Sequence, residues 1–169
     1  IHLAENACAS AAVAYAMGLR PKNVIEGLEK YAPVGARLKV EQGPMNITTL
    51  NDSYNANPLS TIASLNTLAS LKPRRCIALL GDMLELGSAE KQAHIDMLKH
   101  ALSLDFDILG LVGPRYLSAA KNQPNILCAP DSESMARLIS KQILGGEVIL
   151  LKGSRGMKME KIIEGLGPL

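Results

Sequence analysis

Aromatic side chains are scarce in this chain of 169 residues, which contains no Trp, one Phe and four Tyr. Proteins that bind single-stranded nucleic acid stack bases on aromatic rings, so the composition argues against such a surface. The formal net charge is only +2, because 18 basic residues nearly cancel 16 acidic ones, and this also argues against nucleic acid. We therefore expect no nucleic-acid partner and a core of aliphatic residues and Met.

Cysteine is also scarce, and Cys8, Cys76 and Cys128 lie far apart. No two of them have the spacing of zinc ligands, and an odd number argues against a disulfide framework. A reduced intracellular compartment is the simplest interpretation. No apolar run reaches the length that crosses a membrane, so we expect no membrane partner.

Several motifs of catalysis and cofactor binding are missing from the sequence. It contains no Gly-x-Gly-x-x-Gly, no Walker A loop and no Gly-x-Ser-x-Gly elbow. His94 and His100 are six positions apart in one predicted helix, so they do not share a face as the i, i+4 pair of a zinc helix does. We expect no metal site within this chain.

The pattern of apolar residues changes near Pro33. Residues 1–33 predict two helices, and because Ile1 begins within a helical pattern we expect this chain to be a piece of a longer protein. Residues 34–169 predict a hairpin and then a regular alternation of strands and helices, including a helix from about 131 to 144. The fold class that follows is α/β: a Rossmann-like, mostly parallel, doubly wound sheet with one antiparallel edge strand, preceded by a helical segment.

Three loops that follow predicted strands carry polar residues: 52–57, 81–87 and 152–156. In open α/β sheets ligands bind beyond the carboxyl ends of the strands, so these loops are expected to meet there. The third loop has two cations, a hydroxyl and two glycines, which suits a phosphate or a carboxylate. Asp82 could accept from an ammonium group or cap a helix, and Glu85 could share either role.

These motifs together resemble the Mur ligase family. The matching segments cover essentially the whole chain in order: His2 to Asn6, Arg37-Leu38, 52–58, 81–87 and 152–157. The resemblance implies three domains, with residues 1–33 as the last helices of a central ATP-binding domain and residues 34–169 as the C-terminal Rossmann-like domain. It places the Walker A loop, the Mg ligands and the nucleotide-sugar site upstream of Ile1.

The resemblance also implies an activity. In this family ATP phosphorylates a carboxylate, and an amine attacks the acyl phosphate to give an amide, ADP and phosphate. The Asp-Ser-Tyr-Asn-Ala-Asn-Pro form of the first loop favours the dipeptide-adding member of peptidoglycan precursor synthesis. The implied substrates are UDP-N-acetylmuramoyl-tripeptide and D-alanyl-D-alanine, the cofactors are ATP and Mg, and the protein is a monomer of the bacterial cytoplasm or of a plastid. Residues 1–169 alone are expected to fold without catalysing the reaction.

The resemblance also implies roles for individual residues. Lys152, Ser154 and Arg155 would anchor the dipeptide carboxylate and Asp82 would orient its amine, because the Arg fork suits a carboxylate. Leu3 stands where the family usually has Asn. The residues expected to bind ATP are His2, Asn6, Arg37, Asp52, Asn55 and Asn57.

Three alternatives remain open on the sequence. The first is a sister amide ligase with another amino-acid substrate, such as a folylpolyglutamate or cyanophycin type. The second is a non-catalytic ligand-binding or protein-interaction domain on the same scaffold, because fold does not determine function. The third is a nucleotide-binding regulatory domain.

Overall fold

The computed structural model describes residues 2–31, 35–71, 74–121 and 123–166, without the side chains of His2 and Leu3. The chain divides into two compact units, Ile1–Val34 and Gly35–Leu169. The boundary expected at Pro33 falls within 32–34, outside the described residues. The assignment of residues 1–33 to a separate ATP-binding domain stays a prediction.

The first unit contains the two predicted helices, α1 (His2–Ala16) and α2 (Pro21–Glu29). Gly18 follows α1 with a φ of +85°, a left-handed conformation that glycine adopts without a steric penalty. Pro21 is the first residue of α2, where its missing N–H removes no hydrogen bond. None of the helices in the described parts of the chain is both long and apolar enough to cross a membrane.

The second unit is built on a six-stranded sheet with the order β1-β2-β6-β3-β4-β5. Strand β1 is antiparallel to β2, and all other neighbours are parallel. This arrangement confirms the predicted mostly parallel α/β sheet with one antiparallel edge strand. The strands are β1 (Lys39–Gln42), β2 (Thr48–Asp52), β3 (Cys76–Gly81), β4 (Ile108–Val112), β5 (Leu127–Ala129) and β6 (Val148–Lys152).

Helices cover both faces of this sheet, which explains the continuous apolar run of β3. Ala78 and Leu80 pack into a core with residues of α3, α4 and α5, whereas Ile77 and Leu79 pack into a second core with α6 and α7. All four side chains are inaccessible to solvent, as expected for a parallel strand buried on both faces. The helices are α3 (Pro58–Leu71), α4 (Glu90–Leu102), α5 (Pro114–Ala119), α6 (Ser132–Ile139) and α7 (Lys161–Glu164).

Helix α6 is shorter than predicted and ends at Ile139 instead of near Leu144. The buried carboxylate of Glu147 accepts hydrogen bonds from the backbone N–H groups of Leu144 at 2.7 Å and Gly145 at 2.9 Å. Gly145 also has a φ of +99°, which is incompatible with a right-handed helix. Ile143 still packs against the core. Because it lies four residues after Ile139, it continues the apolar spacing of a helix, and the sequence pattern therefore predicted a longer helix.

The strand order brings the polar loops together. Because β6 lies between β2 and β3, the register places Lys152 beside both Asp52 and Leu80. The carboxyl ends of three parallel strands therefore meet at adjacent positions on one edge of the sheet.

Candidate functional site

A cleft of about 310 Å³ lies at this carboxyl edge of the second unit. Its size is at the lower end of the range for small-molecule sites. The residues that line it are Tyr54, Asn55, Leu84, Glu85, Ser154, Arg155 and Gly156. The predicted meeting of the loops 52–57, 81–87 and 152–156 is confirmed, and Asn55, Ser154 and Arg155 are the predicted site residues that line the cleft.

Lys152 lies beneath the cleft wall and is only 2% exposed. Its ammonium group donates to the backbone oxygen of Asn55 at 2.5 Å and lies 3.0 Å from a carboxylate oxygen of Asp52. Burial lowers the pKa of Lys152, and the Asp52 carboxylate partly offsets this by favouring the charged form. Through these buried contacts, Lys152 holds the 52–55 loop against β6.

The carboxylate of Asp52 is engaged by several protein groups. One oxygen accepts from the backbone N–H of Leu38 at 3.0 Å, and the other accepts from the hydroxyl of Ser64 at 2.5 Å and pairs with Lys152. Asn57 is similarly occupied, because its side-chain oxygen caps α3 by accepting from the N–H of Ser60 at 2.9 Å. Both side chains thus order the first loop.

Asp82 is inaccessible to solvent and lies behind the cleft. Its carboxylate accepts from the backbone N–H groups of Arg115 at 3.1 Å and Tyr116 at 3.0 Å, so it caps the first turn of α5. The side chain of Arg115 lies 3.5 Å from the same carboxylate. Of the two roles considered for Asp82, the structure shows helix capping, and the capped helix follows β4 and not β3.

Ser154 joins two of the loops. Its hydroxyl accepts from the backbone N–H of Leu84 at 2.8 Å, and its own N–H donates to the backbone oxygen of Asp82 at 3.1 Å. Arg155 is exposed at the mouth of the cleft, where one guanidinium nitrogen lies 2.9 Å from Glu160. These contacts make Ser154 a rigid part of the cleft floor and leave most of the Arg155 fork accessible.

Residues 36–155 match the family described as Mur ligase, glutamate ligase domain. The chain belongs to the Mur ligase family.

Individual Mur ligases resemble this chain over nearly its whole length. The UDP-N-acetylmuramoyl-tripeptide–D-alanyl-D-alanine ligase of Treponema pallidum is 29% identical over 96% of the chain, and that of Haemophilus influenzae is 31% identical over 98%. A crystal structure of MurF from Acinetobacter baumannii gives a TM-score of 0.85 at 27% identity over 98% of the chain. The chain spans 36–37% of the length of these three relatives.

The remaining residues with predicted nucleotide roles in this Mur ligase chain are distributed over both units. Asn6 is exposed on α1, and the side chain of His2 lies outside the described residues. Arg37 is exposed, and its guanidinium carbon lies 4.4 Å from the centre of the Tyr54 ring, a cation–π contact. Within the second unit, Arg37 and Tyr54 thus form one accessible surface next to the cleft.

His94 is the residue of this Mur ligase site that sequence analysis missed. Its ring is 1% exposed, and Nε2 accepts from the backbone N–H of Met83 at 3.0 Å. Nδ1 lies 2.7 Å from the backbone oxygen of Glu90, which suits the tautomer with its proton on Nδ1, and Nε2 also lies 3.8 Å from a carboxylate oxygen of Asp82. The ring supports the 81–87 loop from behind, and only its buried position in α4 gives it this role.

Tyr116 packs edge-on against His94 with ring centres 4.6 Å apart and is inaccessible to solvent. Its hydroxyl has no hydrogen-bond partner among the residues that the structure describes. Burial raises the pKa of Tyr116, and the nearby Asp82 charge raises it further. Above about pH 10 the unfolded chain therefore releases this proton while the folded chain keeps it.

We expect Tyr116→Phe to be neutral or stabilising by up to about 1 kcal/mol near pH 7, because it removes an unpaired buried hydroxyl. Above about pH 10 the parent chain should lose up to about 1.4 kcal/mol per pH unit through this group, and the variant should not. Urea unfolding followed by circular dichroism at several pH values measures both effects. Tyr15→Phe, which removes a hydroxyl from an exposed position, is the matched control, and parallel pH curves for parent and Tyr116→Phe would contradict the assignment.

The side chains in the described part of the chain are not arranged to bind a metal ion. No group of three or more His, Cys, Asp or Glu residues there could hold a metal ion. The three cysteines are unpaired in the described structure.

Proposed function

We propose that this chain forms the dipeptide-binding part of an ATP-dependent ligase that joins D-alanyl-D-alanine to UDP-N-acetylmuramoyl-tripeptide. The observation that carries the proposal is the cleft, which unites three polar loops at the carboxyl edge of a Mur ligase domain. The named activity of the relatives supports the choice of substrates. The cytoplasm is the proposed compartment, and a monomer that binds neither nucleic acid nor a membrane is the proposed form.

The lining of the cleft suits a small dipeptide. Arg155 offers a planar fork with several N–H donors to a carboxylate. Leu84 and the ring of Tyr54 offer apolar surface to the two methyl groups, and Asn55 offers an amide to the peptide bond. An extended dipeptide is about 7 Å long, and its two ends can therefore reach side chains on different loops of the cleft.

The residues expected to bind ATP fit a nucleotide only in part. Arg37 presents an accessible cation, which can contact a phosphate or a ribose. Asp52 and Asn57 are instead occupied by contacts within the protein. We therefore propose that the nucleotide and Mg are held mainly by a region that corresponds to the part of the relatives that this chain does not span.

The contribution of the chain to the reaction is positioning. ATP supplies the phosphoryl group that activates the acceptor carboxylate. Holding the dipeptide with its amine toward that carboxylate converts a reaction between two molecules into one within a complex, which lowers the entropic part of the barrier. The hydrogen bonds that Lys152, Asp82 and Ser154 make within the protein keep the cleft in one shape.

Phosphate release by the natural protein that contains this chain tests the proposal. With ATP and UDP-N-acetylmuramoyl-tripeptide present, release should depend on D-alanyl-D-alanine. Residues 1–169 alone should release none. Release with a different amino acid would identify a sister ligase, and no release with any amine would favour a non-catalytic binding domain.

A further inference from the structure

The loop after β3 carries two acidic residues with opposite environments. The Asp82 carboxylate is inaccessible and accepts hydrogen bonds from the first turn of α5. Glu85 is exposed and lines the cleft. Within the described parts of the chain, no hydrogen bond or ion pair engages the side chain of Glu85. Of the two carboxylates, only Glu85 can meet a ligand.

The backbone at Glu85 also restricts where its side chain can go. Its φ is +63°, a left-handed conformation that side chains other than Asn, Asp and Gly adopt at a cost. The loop is held by the two residues that precede Glu85. Met83 donates to His94 and Leu84 donates to Ser154, and both bonds involve buried partners. Glu85 is therefore presented from an anchored loop and not from a free one.

Charges of opposite sign thus line the same cleft. Glu85 enters from the 81–87 loop, and Arg155 enters from the loop after β6. A carboxylate and a guanidinium on two different loops complement a ligand that has an ammonium group at one end and a carboxylate at the other. A ligand with only one of these charges would pair with only one of the two side chains.

We propose that Glu85 is the binding residue for the ammonium group of the incoming dipeptide, opposite the Arg155 contact to its carboxylate. This inference rests on the proposed function, because it names the group that holds the amine end of the same substrate. It gives the amine-orienting role to Glu85 in place of Asp82, whose carboxylate is already committed to α5. It also makes the free amino end of the ligand a determinant of specificity.

Binding of three probes to the 169-residue chain tests this assignment by calorimetry or by NMR titration. The probes are D-alanyl-D-alanine, its N-acetyl derivative without the ammonium group, and its C-terminal amide without the carboxylate. The free dipeptide should bind roughly five- to tenfold more tightly than the N-acetyl derivative, as expected for loss of one charge-assisted contact. Glu85→Gln should bind the free dipeptide and the N-acetyl derivative equally well. It should still bind the free dipeptide more tightly than the C-terminal amide.

Asp105→Asn is the matched control. Asp105 is exposed and left-handed, with a φ of +51°, but it lies in the turn before β4, at the opposite edge of the sheet. This variant should keep the preference of the parent chain. The pH dependence of binding is a second readout. Because the dipeptide amine has a pKa of about 8, affinity should fall above that pH in the parent chain and stay constant in Glu85→Gln.

The outcomes separate the two proposals. Equal binding of the free and N-acetylated dipeptides by the parent chain would overturn the role of Glu85 and leave the dipeptide cleft intact. Binding of none of the three probes would overturn both the role of Glu85 and the dipeptide-binding function. The assignment would be established if Glu85→Gln, unlike Asp105→Asn, bound the free dipeptide and its N-acetyl derivative equally well. The circular dichroism spectrum of Glu85→Gln should also match that of the parent.

Discussion

Asp82→Ala should lower the free energy of unfolding by about 3–5 kcal/mol. The side chain is inaccessible and its charged carboxylate accepts from two backbone N–H groups of α5. Its removal leaves these two buried donors without an acceptor, whereas Arg115 keeps its ion pair with Glu90. Because the chain contains no Trp, urea unfolding followed by far-ultraviolet circular dichroism is the suitable measurement.

The matched control for this variant is Asp96→Ala. Asp96 is exposed on α4 and accepts one side-chain hydrogen bond, from Gln92. Its removal should change the stability by less than about 0.5 kcal/mol. An Asp82→Ala chain as stable as the Asp96→Ala chain would show that α5 does not depend on this carboxylate.

Lys152→Met should lower the free energy of unfolding by about 2–3 kcal/mol. Methionine fills much of the space of the lysine stem but cannot pair with Asp52 or donate to the backbone of Asn55. The loss is smaller than at Asp82 because Asp52 keeps its bonds from Leu38 and Ser64. Adding Asp52→Asn should recover part of the stability, since no unpaired carboxylate then remains.

Comparison with Arg155 shows whether Lys152 acts on the ligand or on the loop. Lys152→Met should lose both stability and dipeptide affinity, because the 52–55 segment loses its tie to β6. Arg155→Gln should lose affinity for D-alanyl-D-alanine with little change in stability, because the side chain is 65% exposed. Lys99→Met, at an exposed position of α4, controls for the loss of a positive charge. A stable Lys152→Met chain that no longer binds the dipeptide would make Lys152 a direct ligand.

Local sequence patterns predicted most of the elements of the second unit. The alternation of strands and helices predicted for residues 34–169 agrees with the structure, in which Pro58 begins α3 and Asn57 caps it. Helix α6 was overpredicted, because Ile143 continues the apolar spacing of the helix after the backbone has left it. Such a break depends on Glu147, whose hydrogen bonds to the turn form only when β6 is in place.

The sequence by itself determined the alternation of strands and helices, and it identified the three polar loops that must lie at the carboxyl ends of strands. Both follow from apolar spacing and turn residues, which are local properties of the chain. Only the tertiary structure decided which polar side chains face the cleft. Inserting β6 between β2 and β3 places Lys152 beside Asp52, although the two are 100 residues apart, and buries their charges against each other. Glu85 stays exposed while Asp82, three residues earlier, is capped and hidden. A linear sequence shows the charge of each of these residues but not the partner that neutralises it, because that partner is supplied by the packing of distant elements.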